Sequence, residues 1–98
     1  MKTRLQGSRE AAETLAIQAL AFLAEEPERL GRFLNATGIE AGRIREAAGQ
    51  AGFLAGVLEH MLGEESLLIA FAAHAGIDPA EIARARGAFG SQEERDRP

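Results

Sequence analysis

Two stretches of this chain, FLNATGIEAGRIREAAG from Phe33 and FAAHAGIDPAEIARARG from Phe71, align at a constant offset of 38 residues. The offset pairs Leu30 with Leu68, Gly38 with Gly76, Ile39 with Ile77, Glu40 with Asp78, Ile44 with Ile82, Ala47 with Ala85 and Gly49 with Gly87. A glycine just past a helix end adopts the left-handed backbone that stops the helix, and an apolar residue after it folds back over the last turn. Each stretch therefore predicts a helix, a Gly-Ile corner and a shorter helix. Duplication produces such a match, and so does independent convergence on the same cap; two copies are too few to define a repeat array.

The remaining segments supply more helices. Ser8 is a candidate N-cap, with Glu10 in the first turn, for a helix reaching about Glu25. On it Leu15, Leu20, Phe22 and Leu23 spread over a wide arc, extended by Ile17, while Glu10, Thr14, Gln18 and Glu25 share a polar strip. Pro27 suits the first position of a second helix, where its missing N–H is no loss; Leu30, Phe33 and Leu34 face inward and Gly38 ends it. In the third, EAGRIREAA, Ile44 and Ala47 face inward and Gly42 costs roughly 1 kcal/mol relative to alanine. GQAG, residues 49–52, breaks the chain. FLAGVLEHML then places Phe53, Leu54, Val57, Leu58 and Met61 on one face.

EESLLIAFAAHA is apolar nearly all round after its acidic start, which predicts a helix surrounded by protein at the centre of the fold, with the first and fourth helices. The sixth begins at Asp78-Pro79, with Asp78 as N-cap and Glu81 as its capping-box partner. The expected architecture is all-α: a compact bundle of about six helices forming two similar three-helix units, face to face, with helix-turn-helix-like corners. Residues 1–7 are expected to be a flexible N-terminus, 8–90 a single helical domain and 91–98, SQEERDRP, a disordered charged tail.

With 98 residues the chain has room for one domain and one core. Cysteine is absent, which excludes disulfides, thiolate metal sites and a cysteine nucleophile, and accords with a reducing compartment. The apolar run near the N-terminus is interrupted by Glu10, Glu13 and Gln18, as in an amphipathic helix rather than a secretion signal. No stretch approaches the ~20 apolar residues of a membrane span. The expected location is the cytoplasm, with no membrane partner.

Eleven Lys and Arg stand against 15 Asp and Glu, a net charge of -4. An acidic chain gains little from counterion release unless it segregates its charge. Trp and Tyr are absent, so base stacking would fall to Phe or His. The second corner has the helix-turn-helix spacing, but any tight helix corner selects the same residues. Asp78 and Glu81 stand at the end of the second helix that would approach DNA. Nucleic-acid binding is the alternative function, carried by Arg43, Arg45, Arg84 and Arg86.

His60 and His74 are the side chains that titrate near neutral pH. Gly63 separates His60 from Glu64, no HExxH or Glu-x-x-His motif is present, and phosphate-loop and dinucleotide signatures are missing. No catalytic, cofactor-binding or metal residue is assigned, and no enzyme or cofactor is expected. The leading expectation is a protein–protein interaction module with an unknown protein partner or a second copy, homodimerisation included. Ile17 and Phe22, on opposite edges of the first helix, are its expected interface residues.

EAAETLAIQALAFLAEEPERLGRFLNATGI, with the later GFLAGVLEHMLGEESLLIAFAAHAGIDPAEIARARGAFG, resembles a family of short alphaproteobacterial proteins known only as a domain of unknown function. The resemblance covers roughly residues 9–90, and LAIQALAFLA and FLAGVLEHML are its most specific parts. GIEAGRIREA is a looser version, since Pro or Asp often follows the first corner in that family. The resemblance implies a bacterial cytoplasmic protein and brings no functional residue with it.

Overall fold

The computed structural model describes residues 2–50 and 52–90, with side chains from Arg9 onward. The expected charged tail, 91–98, lies outside the described residues, as does Met1 of the expected flexible N-terminus. Among the described residues the order is α1 (Lys2–Ala24), α2 (Pro27–Thr37), a 3-10 turn (Ala41–Arg43), α3 (Ile44–Ala48), α4 (Phe53–Leu62), α5 (Glu65–Ala75) and α6 (Pro79–Ala88). The chain is an all-α bundle.

α1 starts at Lys2 instead of at Ser8, so Ser8 is an interior residue and not an N-cap. Lys, Arg, Leu and Gln around Gly7 are good helix formers, and one glycine does not stop such a helix. Its buried stripe is also smaller than expected. Ala12, Ala16, Ala19 and Leu23 are at 0–1 % exposure, while Leu15 and Leu20 are half-buried on the flanks. Alanines at the contact let α4 and α6 both pack against α1, and these contacts form the centre of the bundle.

That centre corrects the place given to α5. Only Leu67, Phe71 and Ala72 of α5 are buried, and Ile69 is 52 % exposed. α6 takes the central position instead, with Ile82 at 0 %. An apolar composition fixes how much surface a helix would gain by burial, but a small bundle has only one inner seat beside α1 and α4. α6 fills it with Ile82, flanked by Ala85 and Ala88, whose small side chains pack against the core. The far end of α6 is clamped: Arg86 Nε and Nη2 donate to Glu59 Oε2 at 3.0 and 2.8 Å, and Nη1 donates to the Gly90 carbonyl at 2.8 Å. Phe89 is buried below, with the Arg9 guanidinium over its ring at 5.3 Å.

Both corners are built as expected. Gly38 and Gly76 are left-handed, with φ of 76° and 71°, and Ile39 and Ile77 pack against the core. The two units close differently, however: α6 lies against α1, α4 and α5, whereas α3 packs chiefly on α4. Asp78 caps α6 by accepting the Ala80 N–H at 2.8 Å. The Glu81 side chain returns no hydrogen bond to it among the described residues, so the capping box is half formed. Among the described residues no single helix is long and apolar enough to cross a membrane; α5 and α6 reach that length and composition only when taken together across a 97° bend.

Candidate functional site

One side of α1 is left open by the packing of its alanine stripe. Ala11, Thr14, Leu15 and Gln18 form one wall of a shallow, open trough of about 880 Å³ whose other wall is Glu81, Arg84, Ala85 and Ala88 of α6. The trough continues toward the end of α1. There Gln18, Ala21, Phe22 and Glu25 face Phe71, His74 and Ala75 of α5 across about 290 Å³. Gln18 belongs to both halves.

The exposed α1 wall, Ala11, Thr14, Gln18, Ala21 and Glu25, advances in alternating steps of three and four residues. That is the spacing at which one helix presents a seam to another. Ala11, Ala21, Ala75, Ala85 and Ala88 stand along it among the longer Gln18, Glu25, Glu81, Arg84 and His74. Thr14, Gln18 and Glu25, expected to share a polar strip, are all exposed and line the trough from the α1 side. Sequence periodicity missed the trough because alanine scores weakly as apolar and because the α6 wall is contributed from far along the chain.

The two expected interface residues separate. Ile17 is 56 % exposed; it precedes Gln18 in the sequence but is not among the residues that line the trough. Phe22 is at 5 % exposure and is used inside the monomer. Its ring centroid is 5.4 Å from Phe71 and 5.0 Å from His74, and the Arg29 guanidinium lies 4.3 Å over it. Only an edge of Phe22 reaches the trough.

The four arginines of the nucleic-acid alternative occupy different surroundings. Arg43 lies 3.7 Å from Glu46 and shares its groove with Glu40. Arg45 is exposed on α3. Arg84 lines the trough beside Glu81. Arg86 is held by Glu59 and Gly90.

His60, in the last turn of α4, stands edge-on to Phe33 at 5.3 Å. Burial pushes its imidazole below the ordinary 6.5; the Arg32 guanidinium adds to this and Glu64 opposes it. Arg32 and Glu64 are themselves 3.5 Å apart. The arrangement favours a neutral imidazole set edge-on to a phenyl ring. Among the described residues no group of three or more His, Asp or Glu is placed to hold a metal ion.

A family model described as a protein of unknown function (DUF3572) matches residues 9–92. The chain belongs to the DUF3572 family. The match spans both Gly-Ile corners and every residue that lines the trough. It agrees with the resemblance carried by LAIQALAFLA and FLAGVLEHML. No curated protein and no solved structure matches the chain. Membership of the DUF3572 family brings a fold-length match and no activity.

Proposed function

We propose that this DUF3572 chain is a non-enzymatic protein–protein interaction module of the cytoplasm, and that the trough along α1 is its binding surface. The observation that supports this is the trough itself: an open groove along α1 whose α1 residues advance in steps of three and four, together with the exposed Ile17 next to Gln18 in the sequence. Apolar grooves between helices accept an amphipathic helix from a partner. The cytoplasm accords with a chain without cysteine, and an alphaproteobacterial host accords with the resemblance of LAIQALAFLA and FLAGVLEHML. Nucleic-acid binding has less support, since Arg86 is engaged at the end of α6 and Arg84 stands beside Glu81.

A photo-crosslinking side chain at Ile17, in the cell that produces the protein, tests the proposal, with the same probe at exposed Asn35 of α2 as control. Cross-links to protein should form at Ile17, not at Asn35, and should vanish when Gln18→Arg fills the trough. Equal labelling at both positions, or none at either, overturns the proposal.

A further inference from the structure

We propose that the occupant of the trough is a second copy of this chain, its α1 laid antiparallel on the first across a two-fold axis at Gln18. The inference rests on the interaction reading above and identifies the partner. Gln18 is the residue shared by both halves of the trough, and it stands midway between Ala11 and Glu25 on the α1 wall. A closed two-fold interface must be self-complementary about such a point. A primary amide is both donor and acceptor, so a glutamine on the axis can pair with its own copy.

The charges of the two halves select the direction. The half beside α6 carries Arg84 with Glu81, and the half beside α5 carries Glu25 with His74. Five arginines pair with carboxylates in the described chain, yet neither Arg84 nor Glu25 is in an ion pair among the described residues. An antiparallel copy brings its Glu25 end over the Ala11 end of the first α1, next to Arg84, and symmetry makes the contact twice. A parallel copy would set Glu25 against Glu25 and Arg84 against Arg84, so that neither meets an opposite charge on its counterpart. Ala11 and Ala21 on the α1 wall leave room for a second helix on either side of Gln18.

The absence of cysteine makes a clean experiment. Gln18→Cys should give a disulfide-linked dimer on mild oxidation, because residues on the axis come within the ~7 Å Cα separation that a disulfide spans. Asn35→Cys should stay monomeric. Sedimentation equilibrium of the unmodified chain should show a monomer–dimer equilibrium. Arg84→Glu should weaken it roughly tenfold, Glu25→Arg should do the same, and the two together should restore it. Both positions are exposed, so circular dichroism should show each variant folded.

A chain that is monomeric at every concentration overturns the proposal, and so does dimerisation without a Gln18→Cys cross-link or without rescue by the double reversal. If the chain is monomeric and Ile17 still cross-links to another protein, the second copy is overturned while the interaction reading stands. If Ile17 labels nothing, both fall.

Discussion

At Gly38 and at Gly76 the backbone turns through the same left-handed conformation, yet the helices that follow have different lengths and different depths. After Gly76 the Ile77 N–H reaches back to the Ala72 carbonyl at 2.9 Å and the Gly76 N–H to Ala73 at 3.3 Å, a full Schellman pair. After Gly38 only the Gly38 N–H returns to the helix, to Leu34 at 2.8 Å. The Thr37 hydroxyl, itself donating to the Phe33 carbonyl, accepts the Ile39 N–H at 3.4 Å. Asp78 and Pro79 then start a ten-residue α6, whereas Glu40 gives no side-chain cap and leads into a 3-10 turn and a five-residue α3. Ile82 is fully buried; its counterpart Ile44 is half-buried. The corner is thus a local device that works in both places, and the value of the helix beyond it depends on its cap and on what lies opposite.

The contrast is broken or sharpened most strongly at the paired isoleucines. Ile82→Ala should cost about 3 to 4 kcal/mol and Ile44→Ala about 1 kcal/mol in denaturant unfolding; equal losses would mean that α3 and α6 are equally central. The corner glycines come next. Gly38→Ala and Gly76→Ala should each cost about 1 to 2 kcal/mol, because an added Cβ meets nothing within 4 Å at either site and the penalty is purely that of the left-handed backbone. A harmless Gly38→Ala would remove the structural equivalence of the two corners.

The caps give a smaller difference. Asp78→Ala should lose about 1 kcal/mol of stability, while Glu40→Ala should stay within about 0.5 kcal/mol, measured by thermal melting. A pH effect tied to the first unit is expected to be the smallest. His60 packs on Phe33 of α2 with its pKa held below 6.5, so the folded protein binds fewer protons than the unfolded chain. Its contribution is complete above 6.5 and is lost as pH falls from there through the lower folded value. His60→Gln should flatten the fall in urea midpoint over that range; an unchanged slope would place the acid sensitivity elsewhere.

Much of this was legible in the residues. Pro27, Gly38, Gly63, Gly76 and Asp78 are local punctuation, and they set the ends of α2, α4, α5 and α6 where the backbone places them. The start of α1 is not fixed by local sequence, because Ser8 is equally at home as a cap and inside a helix of good formers. α5 was put at the centre because its composition is apolar all round, although composition records the gain from burial and not the competition for the inner seat. The candidate site was the least legible part. Ile17 is legible as surplus apolar surface, but the trough itself is lined by alanines and polar residues, and such residues read the same whether they line a groove or face open solvent.

Helix, stop and turn are decided by each residue and its neighbours within about four positions, through backbone sterics and hydrogen bonds of short reach. The alternation of helices and both glycine bends therefore belong to the amino-acid order alone. Which helices face one another is decided by shape over the whole bundle. Only the packed molecule could seat Ile82 beneath α1 and α4, leave Ile69 outside, and open a channel between residues as far apart in the chain as Gln18 and Arg84.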